Sequence, residues 1–233
     1  MKFRSIAAIV LFGIFLSSCN QSPNLGGSSK MKNDLDSVSY AIGANIAKML
    51  KDRDKVDEIN YNTFAKGMKD VFEDNEMTLN DSVRRATISS YMRNLQNKVA
   101  QENLQKGQEF LEDNKKKEGI KETESGLQYK VIKEGSGISP EPQDTVKVHY
   151  TGRNIDGEIF DSSVDRGKPA EFPLNRVIKG WTEGLQLMKV GAKYKFFIPS
   201  EIAYGKRPPR RGSIEPNETL IFEVELLEVK PAK

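Results

Sequence analysis

The 233-residue chain contains one cysteine, one histidine and one tryptophan. One cysteine excludes an intrachain disulfide, and together with one histidine it leaves too few ligands for a Cys/His zinc site. Neither sign of charge prevails: 36 basic against 33 acidic side chains give a net charge of +3, so no broad field draws nucleic acid or an anionic surface. Long apolar runs are missing as well. The N-terminal stretch from Ile6 to Leu16 is about 11 residues, too short to span a bilayer as a stable helix. Nothing in this inventory calls for a metal or a cofactor.

What is present begins with a leader. Lys2 and Arg4 precede the apolar run, and Leu16-Ser17-Ser18-Cys19 follows it. This resembles a bacterial lipoprotein signal, which implies cleavage after Ser18 and lipid on Cys19 as the mature N-terminus. Loss of Lys2 and Arg4 leaves 34 basic and 33 acidic residues, a nearly neutral mature chain. Residues 19–32, rich in Gly, Ser, Asn and Pro, have too little apolar surface to order themselves and read as a flexible tether.

From residue 33 to 119 the periodicity is helical. Leu35, Val38, Ile42, Ile46 and Met49 recur at intervals of three and four behind a cap at Asn33 or Asp34. Asn60 opens a second helix with Phe64, Met68 and Val71 on one face, and Asn80 a third that runs past Gly107 to about Lys117. In the third, Ile88, Met92, Leu95 and Val99 form a heptad seam, but continuing it meets Glu102, Lys106 and Glu109, so its distal half reads as a solvated stalk. Helices this poor in large apolar residues make a weak monomeric core. Self-association is one remedy and a compact three-helix bundle the other.

Beyond Gly119 the period becomes two, with turns at Gly135-Ser136-Gly137, Asp156-Gly157, Arg166-Gly167 and Val190-Gly191. Strands are expected over 127–132, 146–152, 159–161, 193–198 and 220–229. Val177-Ile178 reads as extended, with Gly180 ending that run and a short helix over 181–188 placed to cover the sheet. The fold class is α+β: a helical N-terminal part and an antiparallel sheet over 120–233. Taken alone, Trp181 is a core anchor.

Five stretches carry a more specific signal: Val148-His149-Tyr150-Thr151-Gly152, residues 156–163 (DGEIFDSS), Val177-Ile178-Lys179-Gly180-Trp181, Ala203-Tyr204-Gly205 and residues 217–222 (NETLIF). In this order and spacing, the segment from about 125 to 229 resembles the FKBP-type peptidyl-prolyl cis-trans isomerase domain. Residues 39–43 (SYAIG) and 64–68 (FAKGM) resemble the N-terminal domain of the macrophage infectivity potentiator (Mip) group of that family. The resemblance implies a half-barrel sheet wrapped around a short helix. Trp181 would be the floor of an apolar pocket, with Tyr150, Phe160, Val177, Ile178, Tyr204 and Phe222 as walls and Asp161 as the polar group. Ile214 would overhang the rim, and Arg166 would support Asp161 and Tyr150. It further implies a homodimer through the N-terminal helices, proline-containing proteins as substrates, no cofactor, and a lipid-anchored place in the bacterial envelope, at the periplasmic face of the outer membrane.

The residue types suit that chemistry. Rotation about an X–Pro bond is opposed by a barrier of about 20 kcal/mol from amide resonance, and no covalent bond need form or break. A planar amide is more dipolar than a twisted one, so a pocket that excludes water favours the twisted state, and such differential stabilisation is what catalysis requires. Tyr204 can hold a substrate carbonyl; Asp161 either acts on the twisting amide or organises the wall. His149, on a strand with no identifiable Ser or Cys partner, is no general base. Ala170 stands where small family members carry a pocket phenylalanine, opening one side. The basic loop 206–213 points to clients with acidic residues beside proline. Two other functions fit the chain: a holdase gripping unfolded segments, and an interaction protein with a vestigial pocket.

Overall fold

Three asparagines start the first three helices. The side chains of Asn33, Asn60 and Asn80 accept from the backbone N–H groups of Asp36, Thr63 and Val83 at 2.9, 3.0 and 2.9 Å, satisfying donors that a helix start leaves unpaired. The resulting helices are α1 (Asp34–Lys48), α2 (Tyr61–Phe72) and α3 (Asp81–Asn114). The computed structural model describes residues 30–209 and 213–232; the leader, Cys19 and the tether before residue 30 lie outside the described residues, as do Arg210, Arg211 and Gly212.

The chain forms two compact units that divide between Arg84 and Arg85. In the first, α1 buries none of its residues, and it continues into a single π-helical turn at Met49–Arg53. Leu35, Val38, Tyr40 and Ile42 on α1 and Phe64, Val71 and Phe72 on α2 remain exposed, Leu35 by 71% and Phe72 by 82%.

The second unit is built on an antiparallel sheet of seven strands among the described residues: β1 (Ile120–Glu122), β2 (Gln128–Lys133), β3 (Thr145–Arg153), β4 (Ile159–Ser162), β5 (Ala170–Pro173), β6 (Lys193–Ile198) and β7 (Leu220–Lys230). Their order is β1-β2-β6-β7-β3-β4, with β5 also paired to β3. The long strand β7 shows why the sheet has one dry face. Leu220, Phe222, Val224 and Leu226 are buried while the residues between them are only partly covered, the period-two pattern of a half-buried strand. Short strands β1 and β5 carry no strong alternation of their own and were not expected from the sequence.

Helix α4 (Lys179–Gln186) lies on the dry face and buries Trp181 and Leu185 in the core with Phe196, Phe222 and Val224. It begins earlier than expected, and Gly180 lies within it rather than ending an extended run. Gly180 is required for close approach: a Cβ there would come within 2.4 Å of Ile198 Cγ2. Val177 and Ile178 are extended but join no strand, following a 3-10 turn at Leu174–Arg176.

The distal half of α3 is not a solvated rod. Ala100, Gly107 and Asn114 are buried, and Asn103, Leu104, Phe110 and Leu111 partly so, forming a face one residue out of step with the Ile88–Val99 seam. Phe110 packs on Phe197 of β6 with ring centroids 6.0 Å apart. Asn114 Nδ2 donates to Gln128 Oε1 at 2.9 Å, and Gln128 Nε2 donates to the carbonyl of Leu111 at 3.0 Å. A Cβ on Gly107 would lie 2.3 Å from Thr219 Oγ1, so the helix approaches the loop before β7 as closely as glycine allows.

Candidate functional site

A cavity of about 660 Å³ opens between α4 and the sheet. Its floor is Trp181, 5% exposed, held edge-on by two rings: Phe222 at 5.0 Å and 85°, and Tyr150 at 5.1 Å and 88°. Phe160 meets Phe222 at 5.4 Å and 85°, so four aromatics from β3, β4, α4 and β7 interlock in the edge-to-face geometry that aromatic quadrupoles favour. Val177 and Ile178, presented by the extended run before α4, close one side; Tyr204 and Ile214 reach in from the long β6–β7 connection. Every pocket residue expected from the sequence among Tyr150, Phe160, Asp161, Val177, Ile178, Trp181, Tyr204, Ile214 and Phe222 lines this one cavity.

Arg166 stands beside it. Gly152 on β3 pairs with Asp161 on β4, which brings Asp161 next to the Tyr150 side chain two residues along β3. The Tyr150 hydroxyl donates to Asp161 Oδ2 and Arg166 Nη1 donates to Asp161 Oδ1. Arg166 Nη2 donates to the Tyr150 hydroxyl at 3.1 Å, and its guanidinium lies 5.7 Å from the Tyr150 ring centre. Both carboxylate oxygens are thus engaged. Burial pushes the Asp161 pKa up, but the hydrogen bonds from Tyr150 and Arg166, with the charge of Arg166, outweigh it and hold the carboxyl below its usual range. Burial first, then the hydrogen bond to Asp161, raises the Tyr150 pKa, partly offset by Arg166. At neutral pH the cluster is a fixed anion, a neutral phenol and a cation, and it holds no group ready to exchange a proton.

Two polar groups on the cavity wall have no hydrogen-bond partner among the described residues: the Tyr204 hydroxyl, on a side chain 38% exposed, and the buried indole N–H of Trp181. Burial, then the charge of Asp161, raises the Tyr204 pKa, so the phenol is protonated at neutral pH and available as a donor. His149, by contrast, does have a serine beside it: Nδ1 lies 3.1 Å from Ser163 Oγ. That hydroxyl is committed to the backbone of Tyr150, accepting from its N–H at 2.8 Å and donating to its carbonyl at 3.3 Å, so the pair fastens β3 and is not a nucleophile with its base.

Sequence reasoning missed three lining residues: Phe172, Arg176 and Pro209. Phe172 on β5 packs on Trp181 at 5.4 Å and partly closes the side that Ala170 opens. The apolar pair Ala170 and Phe172, two positions apart in residues 170–173 (AEFP), was the available signal, too short to mark a strand. Arg176 and Pro209 had none, because irregular backbone brings them to the rim.

An enclosed aromatic box with a single hydrogen-bonded carboxylate, on a half-wrapped antiparallel sheet, defines a class of non-covalent binding pocket. Comparison with known proteins gives the class its family. A family model described as FKBP-type peptidyl-prolyl cis-trans isomerase matches residues 136–227, and one described as the domain amino terminal to it matches residues 35–131. The chain is 40% identical over 239 residues to the outer membrane protein MIP of Legionella longbeachae, spanning 100% of both chains. It is 46% identical over 203 residues to the FKBP-type peptidyl-prolyl cis-trans isomerase FkpA of Aeromonas hydrophila, covering 84% of this chain and 75% of that one. The crystal structure of FkpA from Escherichia coli matches with a TM-score of 0.65 at 38% identity, over 88% of this chain and 100% of the other. The chain belongs to the FKBP-type peptidyl-prolyl cis-trans isomerase family and is an enzyme of that type. Its similarity to MIP and its amino-terminal domain place it in the Mip-like group.

Proposed function

We propose that the protein accelerates X–Pro rotation in proteins folding in the bacterial envelope, with Trp181 as the surface on which the proline ring rests. The observation that carries this reading is the aromatic cavity with an unpartnered Tyr204 hydroxyl at its wall. Phe160, Phe222, Val177, Ile178 and Ile214 exclude water from the bound amide, which disfavours its dipolar planar form relative to the twisted one. The Tyr204 hydroxyl donates to a substrate carbonyl and fixes its orientation. Asp161 contributes a fixed charge and holds Tyr150, with Arg166 completing the hydrogen-bond set; proton transfer has no part in it. Replacing Tyr204 with Phe tests the donor: kcat/KM falls about tenfold with the fold intact, as expected for loss of one substrate hydrogen bond.

Arg176 bears on substrate choice. It lines the cavity, is exposed, and has no ion pair among the described residues, whereas Arg166 is committed to Asp161. Peptides with Glu beside proline are therefore turned over faster than those with Lys, most visibly at low salt. Equal turnover of the two counts against this.

The exposed apolar faces of α1 and α2 support a homodimer. The MIP and FkpA relatives, one named an outer membrane protein, support a place in the envelope, and Cys19 is the proposed lipid anchor holding the dimer at the periplasmic side of the outer membrane. Sedimentation of the unlipidated Cys19→Ser chain without its leader gives a dimer at micromolar concentration. Val38→Glu with Ile42→Glu gives a monomer that still turns over short peptides. A monomer before those substitutions overturns the dimer. Holdase activity is the second reading, favoured by the exposed apolar residues of the helical unit, and suppression of client aggregation by a pocket-dead variant supports it.

A further inference from the structure

We propose that Asn217 is a positioning residue for Tyr204, and that through it the distal half of α3 forms part of the catalytic unit. The inference rests on the reading of Tyr204 as the substrate's hydrogen-bond donor. Tyr204 lies on irregular chain, in the long connection between β6 and β7, and its hydroxyl has no partner among the described residues. Nothing at the tip of the side chain sets the ring's direction in the absence of substrate. Its direction therefore depends on how firmly the backbone beneath it is held.

That backbone is pinned at Gly205. The Gly205 N–H donates to the carbonyl of Ser200 at 2.9 Å, and the Gly205 carbonyl accepts from the Asn217 N–H at 2.8 Å. Asn217 is buried and has a φ of +57°, a left-handed conformation that asparagine tolerates better than most residues. What secures it is its side chain: Nδ2 donates to the carbonyl of Ala100 on α3 at 3.0 Å. One residue thus ties the turn of Tyr204 by its main chain and the helix by its amide.

The helix is a firm support at this point. One turn on, Asn103 Nδ2 donates to Glu215 Oε2 at 3.2 Å and to the carbonyl of Pro216 at 3.1 Å, and Gly107 receives Thr219. Ala100, Asn103 and Gly107 therefore grip residues 215–219 along one side of α3. The segment they grip directly follows Ile214 and leads, three residues beyond its end, to Phe222, and both of these residues line the cavity. A bond whose sole task was to attach the helix could sit anywhere on the sheet's outer surface; the Asn217 bond sits at the one residue that also holds the Tyr204 turn.

A double-mutant cycle in the full chain tests this. Asn217→Gly keeps the backbone N–H and accepts a positive φ without strain, and it removes the bond to Ala100 together with the rest of the buried side chain. It lowers kcat/KM for a proline peptide about fivefold, Tyr204→Phe lowers it about tenfold, and the double variant falls no further than Tyr204→Phe alone, because residues acting as a unit are not additive. Thermal unfolding of each variant confirms that it is folded at the assay temperature. Asn217→Asp, nearly isosteric and unable to donate, reproduces the loss if the glycine variant is too unstable to assay. Losses that multiply make Asn217 merely structural and overturn the proposal while leaving the role of Tyr204 standing. Full activity of Asn217→Gly, or of Asn217→Asp where that variant stands in for it, overturns it too. A silent Tyr204→Phe removes the function of Tyr204 and the proposal with it.

Discussion

Replacing Trp181 with Ala lowers stability by about 3 to 5 kcal/mol and abolishes measurable isomerase activity in one step. Both losses have the same origin. The indole is 5% exposed and touches Tyr150, Phe172 and Phe222 with centroids 5.0 to 5.4 Å away, so its removal leaves a void that Phe222 cannot fill without giving up its edge-to-face contact with Phe160. It also removes the surface on which a proline ring is proposed to rest. Urea unfolding gives the first effect, as a lower midpoint at unchanged slope. A stopped isomerase assay below that midpoint gives the second. A variant as stable as the parent would show that the ring is not the base of this core.

Asp161→Ala separates what Trp181→Ala joins. The Asp161 and Arg166 side chains are 42% and 50% exposed, so their ion pair is of the partly solvated kind worth about 1 kcal/mol or less, and the fold survives its loss. Catalysis does not: without the carboxylate, Tyr150 loses its acceptor and the cavity its fixed charge, and kcat/KM falls about tenfold, equivalent to about 1.4 kcal/mol of transition-state stabilisation. The folded-state pKa of Asp161 is lowered, so its small contribution to stability is present above the unfolded value of about 3.9 and is lost as pH falls through the folded one. The gap in stability between parent and variant therefore closes below about pH 4. A large loss of stability at neutral pH, with turnover intact, would reverse the assignment.

Helix starts and the long strands were legible because their signals are local. Asn33, Asn60 and Asn80 cap where capping chemistry places them, and β6 runs from Lys193 to Ile198 as its alternation implies. The walls of the cavity were legible only through the family resemblance that five stretches carry, and each of those stretches brings one or more of its side chains to the cavity. The inner face of distal α3 was not. Its repeat, Ala100, Leu104, Gly107, Leu111 and Asn114, is as regular as the apolar seam before it, but two of its members are glycine and asparagine, which register as neither large nor apolar. That face is held by close approach at Gly107 and by amides at Asn103 and Asn114, and hydrophobic periodicity is blind to both. Gly180 misled in the same way. As a sequence feature it looks like a stop, and its actual role depends on Ile198, a residue 18 positions away that only the fold brings near.

The central claim is that an apolar pocket floored by Trp181 accelerates X–Pro rotation without covalent chemistry or proton transfer. Its most direct test is a protease-coupled assay of a chromogenic proline peptide, run on the chain from residue 19 onward, with Cys19→Ser, in ordinary and heavy water. The account predicts acceleration proportional to enzyme, lost in Trp181→Ala, with the same rate in both solvents. No acceleration by the parent chain, or a marked slowing in heavy water, would contradict it.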